Sequence, residues 1–498
     1  MRENKMKYVF IFLITTIFSV TSLFAGYKES VYTKLWNTAD KYSQKGDVKS
    51  ALNTVKTIFT YAKKNNDIDQ YIHSLLTILA YNKNVEKDYL VKNHIFLQKE
   101  LANAQAPYKQ ILHSLMGDIY CDMFLLNRWD INKKKEIVNI KDINSWNIAT
   151  FVDFIGEQYT LSLNEPEMLK TIQTDSLKNI IVRRNDNVDE RTITLYNFLA
   201  DRAIDIFIQK KIKNCDTPSR AIFNMSELFS DNATFVSIDL KTIKDDSFYW
   251  HALRLLQTIT KNTQTENDIG KSAEIELKRI KIVYQEAIGT KKDTLYRKAL
   301  LRMLEVYRAT PVVTEIAYEL SLFALHQIEH PFYYNDEKMT RQEILEICMS
   351  AFAAYPDSYG AKLCDSIIKK IFAKELDCLV ENYLEPEKPL QAHLIYRNIN
   401  RVYCKIQSIE KNEYNSYVDL GTVIAVWDIH LTDEKDYNTH SVRIALPSLR
   451  SGMYLMTISN NSNFDLHEGV VISTKLVVTD IFYTFNQAFH FNFTELCT

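Results

Sequence analysis

The sequence predicts a multidomain, mainly α protein: a helical-repeat solenoid followed by a C-terminal antiparallel β-sandwich. Three observations lead there. From residue 30 to about 380 apolar residues recur at the helical period, and beyond about 390 they alternate in twos. The whole 498-residue chain also holds only 10 Gly and 9 Pro, too few for an all-β protein, whose hairpins consume those residues. One compact core is not expected at this length, so the expected division is a leader (1–25), a helical domain (27–380), a connector (381–390) and a sandwich (391–498).

The leader comes first. Arg2, Lys5 and Lys7 precede an uncharged apolar run from Tyr8 to Leu23, and Ala25-Gly26 offers a small-residue cleavage site. This is the pattern of an export signal, and the run is near the lower length limit for a spanning helix. The expected location is therefore the periplasm or cell surface, with membrane contact only through an uncleaved leader. No cysteine follows the apolar run, which argues against a lipid-modified N-terminus. Seven cysteines, odd in number and never spaced C-x-x-C, support neither a disulfide framework nor a zinc knuckle, and read as buried small hydrophobes.

The helical region opens on "LWNTADKYSQKGDVKSALNTVKTIF". Leu35, Ala39 and Tyr42 line one helix, Gly46 marks the turn, and Ala51, Val55 and Ile58 line the returning helix. Those offsets match a tetratricopeptide-type hairpin, in which small Ala lets two helices approach. A like stripe recurs at Leu295, Ala299, Leu300, Met303, Leu304 and Tyr307. Another follows at Ala361, Cys364 and Ile368, after Tyr355-Pro356 stops the preceding helix. Polar breaks at 183–191, 211–220 and 235–247 read as inter-helix loops. Pro386 and Pro389, amid acidic residues, read as a stiff connector.

Beyond the connector the period is two: Val402, Cys404 and Ile406; Val423, Ala425, Trp427, Ile429 and Leu431; Val442, Ile444 and Leu446; Ile472, Thr474, Leu476 and Val478. About seven strands are expected. Within "LPSLRSGMYLMTIS", residues 446–459, Pro447 ends one strand, Ser451-Gly452 turns the chain, and Met453 to Ser459 is expected to run back as its hairpin partner.

Catalytic motifs are sparse. "HQIEH" satisfies H-x-x-E-H, which would need His326 and His330 on one helix face with Glu329 as base. Pro331 pushes His330 out of the α region and no downstream Glu offers a third ligand, so a proline-stopped amphipathic helix is expected instead. Gly270-Lys271-Ser272 lacks the first glycine of a P-loop. Asp245-Asp246 read as solvated loop charges. Trp129 and Trp146 are core candidates, with a groove between helices as the alternative. Lys+Arg 60 against Asp+Glu 62, with no long run of one sign, removes the electrostatic footprint of a nucleic-acid binder. No catalytic, cofactor-binding or metal-ligating residues, and no cofactor, are predicted.

Several segments in order, "LLNRWDI", "IKDINSWN", "YTLSL", "TLYNFLADRAIDIF", "FVSIDL", "VYRATP" and "LIYRNINRVYCKIQ", followed by "LPSLRSGMYLMTIS" and "KLVVTDI", resemble the N-terminal region of the large bacterial α2-macroglobulin-like proteins typical of Bacteroidetes. The resemblance implies an exported, non-enzymatic cell-envelope protein of a protease-trapping lineage, with a macroglobulin-type sandwich. The family's thioester is not expected here. The seven cysteines are followed by Asp122, Asp216, Met349, Asp365, Leu379, Lys405 and Thr498, so the C-x-E-Q type of motif is absent. A truncated gene product, or a short member retaining the docking half, is expected. Its partner would be a protein, either a protease or an envelope protein. The second reading is a glycan- or nutrient-binding envelope component on a tetratricopeptide-like scaffold. It ranks lower because such proteins carry a lipobox cysteine and lack a C-terminal sandwich.

Overall fold

The computed structural model describes residues 31–479 apart from 132, 135–138, 141, 175–193, 209–224, 241–247, 266–267, 335–337, 382–383, 412–417 and 433. The expected leader, the breaks at 183–191 and 211–220, the end of the 235–247 break with Asp245-Asp246, and Cys215 and Cys497 lie outside these residues. What is described is mainly helical with a C-terminal antiparallel sheet region. The chain divides into two compact units, Met1–Met303 and Leu304–Thr498.

In the first unit α1 (Val31–Gln44), α2 (Val48–Lys64), α3 (Ile68–Val85), α4 (Tyr89–Leu101), α5 (Tyr108–Ile131) and α6 (Ile148–Leu161) each pack on the next. Aspartates set the starts, since a carboxylate at the N-cap satisfies an orphan amide. Asp47 accepts from the Ser50 amide and Asp67 from the Gln70 amide, both at 3.1 Å. In the first hairpin Ala39, Ala51, Val55 and Ile58 are buried as the stripe requires, and Gly46 turns the chain at φ +76°. Tyr42 departs from its expected core position and is 38% exposed. It lies in the last turn of α1, where its carbonyl receives the amides of Lys45 and Asp47 as the loop folds back.

The unit continues through α7 (Pro166–Thr171), α8 (Leu195–Ile208), α9 (Asn232–Ser237), α10 (Phe248–Thr265), α11 (Ile269–Glu286) and α12 (Lys292–Val306), within which the division falls. The segment "TLYNFLADRAIDIF" is the core helix α8. Its Leu195, Leu199, Ala203, Ile204 and Phe207 are buried. Its charges are struts: buried Arg202 pairs with Asp118 and donates from Nε to Ser114 Oγ at 3.1 Å on α5, while Asp201 receives Lys278 of α11 at 2.6 Å. A second strut holds α11, where fully buried Glu276 pairs with Arg302 and fully buried Arg279 donates to the carbonyls of Leu228 and Ser230. Buried charges persist only when paired and hydrogen-bonded in this way. The stripe on α12 is confirmed at Ala299, Leu300 and Met303, with Tyr307 buried just after it.

The second unit begins with α13 (Val313–Glu329), α14 (Arg341–Ala354) and α15 (Tyr359–Phe372), each of which packs on the other two. A capping box between Thr340 and Glu343 starts α14, and Ser358 caps α15 after the Tyr355-Pro356 stop. Ala361 and Cys364 are buried, but Ile367 rather than Ile368 continues that face into the core. Among the described residues seven strands follow: β1 (Glu375–Val380), β2 (Leu390–Arg397), β3 (Arg401–Lys411), β4 (Val418–His430), β5 (His440–Leu446), β6 (Gly452–Ser459) and β7 (Val471–Val478). They form two antiparallel sheets, ordered β1-β2-β5 and β4-β3-β6-β7. The inward residues of both, among them Leu394, Val402, Cys404, Ile406, Ile444, Met456, Ile458 and Leu476, share one hydrophobic cluster.

Three sequence-based expectations change. The stretch 446–459 is not a hairpin. Leu446 does end β5 and Gly452 does open β6, yet β5 pairs with β2 while β6 pairs with β3 and β7, so the turn carries the chain from one sheet to the other. Tyr454 closes that crossover by donating its hydroxyl to the Arg450 carbonyl at 2.9 Å. The strand region starts at Glu375, ahead of the expected connector, and the connector joins two paired strands. Leu384 within it exchanges backbone hydrogen bonds with Val477 and Thr479, both at 2.9 Å, so it is stitched to the end of β7. The helical-to-sheet limit at 380 also differs from the compact division, because α13 to α15 share a unit with the sheets. Asn398, in the turn between β2 and β3, donates to the carbonyls of Ile371 and Ala373 at 2.7 and 2.9 Å and so caps the end of α15, and the adjacent Arg397 pairs with Glu375.

Candidate functional site

The H-x-x-E-H residues fall at the end of α13. His330 is the C-cap, with φ −127° and ψ 61°, as the following proline dictates. The rings of His326 and His330 do meet, 4.5 Å between centroids. Their other partners are structural. His326 Nδ1 shares a hydrogen bond with the Tyr334 hydroxyl at 2.8 Å, and Glu329 turns to Lys370 of α15 at 2.6 Å. Burial, then the neighbouring His330, lowers the His326 pKa. With its carboxylate committed to Lys370, Glu329 does not stand over the histidine pair as a base would. Trp129 and Trp146 do not form a groove wall together. Trp146 is buried, stacks on Phe154 at 4.2 Å and donates its indole N–H to the Ile140 carbonyl at 2.8 Å, whereas Trp129 is 71% exposed beside Arg128. Gly270-Lys271-Ser272 forms the first turn of α11.

Among the described residues, the metal-capable group of three lies elsewhere, in the connection from β4 to β5. Glu434, Asp436 and His440 bring one donor atom each within 4.8 Å of one another. The sequence reading missed it. The available signal was "EKDYNTH", in which Asp and His four apart bracket a turn-forming Asn. Lys435 and Tyr437 take positive φ of 54° and 60°, so the backbone curls around Asp436. The Asp436 carboxylate already accepts from the Asn438 amide at 2.8 Å, the Asn438 side chain at 2.9 Å and His440 Nε2 at 2.8 Å. Burial works to raise its pKa, but these hydrogen bonds together outweigh burial and hold it at about 2. Two carboxylates and an imidazole suit a divalent cation, but here the carboxylate and imidazole serve each other. The turn presents Asn438 Oδ1 to the Arg341 guanidinium at 3.0 Å, tying α14 to the sheets. It is a tether.

The other unusual surface is the edge strand β4. Leu420, Val423, Ile424 and Val426 are 48–61% exposed on a strand that has no neighbour on its outer side among the described residues. Its register against β3 slips twice, between Ile406 and Gln407 and again between Gln407 and Ile409, which bulges the strand. Bulges commonly protect an edge from adventitious pairing, and this one is bulged, but it also carries large exposed aliphatics.

No family model matches the chain, and no curated protein does. Among solved structures it is similar to a Pseudomonas fluorescens alkylpurine DNA glycosylase, AlkC, bound to DNA containing an abasic site analog. That alignment has 8% identity, covers 89% of this chain and 96% of that one, and has a TM-score of 0.17. A likeness at that score carries no argument about fold or activity. No described helix is long and apolar enough to cross a membrane.

Proposed function

We propose that this chain is an exported, non-catalytic cell-envelope protein that acts by binding another protein, resembling the N-terminal part of α2-macroglobulin-like protease traps. In this reading the helices are a tetratricopeptide-like solenoid and the two sheets are a macroglobulin-type sandwich. The strand order of the sheets supports the sandwich, as does Tyr454. Its hydroxyl returns to the backbone at the start of the sixth strand, in the manner of the tyrosine corner of immunoglobulin-like sandwiches.

The observation that carries the binding role is the apolar edge of β4. Exposed aliphatic side chains on a strand that is a sheet edge among the described residues are suited to contact with a second polypeptide, through strand addition or through packing of its apolar surface. Capture from envelope extract tests the reading, with wild-type protein compared with an Ile424→Lys, Val426→Lys variant. Both side chains are solvent-facing, so the variant is expected to fold. Wild-type protein should retain one or more envelope proteins or a protease, and the variant should lose at least tenfold of that retention, as hot-spot loss implies. Equal retention by both would overturn the reading.

A further inference from the structure

Cys348 on α14 and Cys364 on α15 point into one seam of the second unit, and both are fully buried. The Cys364 thiol donates to the Thr314 carbonyl at 3.3 Å, and the Cys348 thiol to Ser321 Oγ at 3.1 Å. Thr314 and Ser321 lie seven residues apart on α13, about 10.5 Å along its axis, but the Thr314 carbonyl points toward the helix C-terminus and the Ser321 side chain leans toward the N-terminus, so both thiols contact one face of α13 from facing directions. The helices are drawn together there. A Cβ on Gly360, one turn before Cys364, would stand 2.3 Å from Thr314 Oγ1 and 2.4 Å from the Glu315 amide nitrogen, so α15 lies directly on α13. Each thiol is the largest influence on the titration of the other, through a shared hydrogen bond that sets the Cys348 pKa below the ordinary thiol value and the Cys364 pKa well above it.

We propose that Cys348 and Cys364 form a disulfide linking α14 to α15 when the chain folds in an oxidising compartment. The oxidant is a disulfide donor, either a dithiol oxidoreductase or oxidised glutathione. The Cys348 thiolate attacks a donor sulfur and expels one donor thiolate, leaving a mixed disulfide. Cys364, after losing its proton to solvent, attacks the Cys348 sulfur and expels the second donor sulfur as thiolate. Two thiols are oxidised, one donor disulfide is reduced, and two protons are released. Because neither sulfur is exposed in the folded unit, the exchange belongs to folding, before α14 and α15 close on α13. The pairing rests on the packing alone, and export supplies only the oxidant.

The test uses the full chain, unfolded and reduced, then refolded in a glutathione redox buffer, alkylated in denaturant and digested with trypsin. Lys362 separates the cysteines, so the bond appears as a linkage between peptides 342–362 and 363–369, lost on reduction. The expected result is that linkage, its absence in Cys348→Ser and in Cys364→Ser, and a lower thermal midpoint of the wild type after reduction. Full alkylation of both cysteines, or a bond to a different cysteine, overturns the pairing. If a serine variant does not fold, the wild type before and after reduction decides. A bond that forms on refolding but is absent from the protein isolated from cells supports the pairing and counts against export.

Discussion

Asp205 shows what a single residue contributes beyond its place in a pattern. It sits on α8 with its carboxylate 3.6 Å from the Lys278 amine, which Asp201 engages more closely. Burial is the largest influence and raises its pKa to about 6. An unfolded aspartate titrates at about 3.9, so between pH ~4 and ~6 the folded chain holds a proton that the unfolded chain has released. Stability from this group is therefore present at low pH and is lost as pH rises to about 6, a change of roughly 2–3 kcal/mol. Urea midpoints at pH 4.5 and 7 measure it, and Asp205→Asn should flatten the difference. Tyr454→Phe tests the crossover hydroxyl: deleting a largely buried hydrogen bond should cost about 1 kcal/mol in urea unfolding, with no change of secondary structure. The partners of the α8 charges Asp201, Arg202 and Asp205 do not follow from periodicity, because Asp118, Ser114 and Lys278 are far from α8 in sequence. The same limit hid the Glu434, Asp436 and His440 group, and the meeting of Cys348 with Cys364.

Among elements, helices read well and strand partners read poorly. The stripes at Ala39/Ala51 and Ala299/Leu300/Met303 are local, since a residue and its neighbours three and four along share a face whatever the fold. The stretch 446–459 shows the opposite case. Its strand ends were legible from Pro447 and Gly452, but a turn of that length can close a hairpin or cross between sheets. Pairing of β5 with β2 and of β6 with β3 chose the crossover. Close approach of helices is likewise invisible locally. Gly360 reads as an ordinary residue after a cap, yet a methyl there would press on the backbone of α13, which cannot give way as a side chain would. Gly360→Ala should therefore destabilise the second unit by about 1–3 kcal/mol, seen as a lower thermal midpoint, despite the better helix propensity of alanine.

At the scale of the molecule the sequence by itself determined the class of each region. It separated helical from alternating periodicity, because that feature depends on spacing. Only the tertiary structure decided where the compact units divide, that α13 to α15 share one with the sheets through Asn398, Arg397 and Arg341, and which strand is left as an apolar edge. These are outcomes of long-range pairing. Burial of one face can be satisfied by many neighbours, and only the folded packing selects which neighbour it is and places β4, among the described residues, at the edge of its sheet.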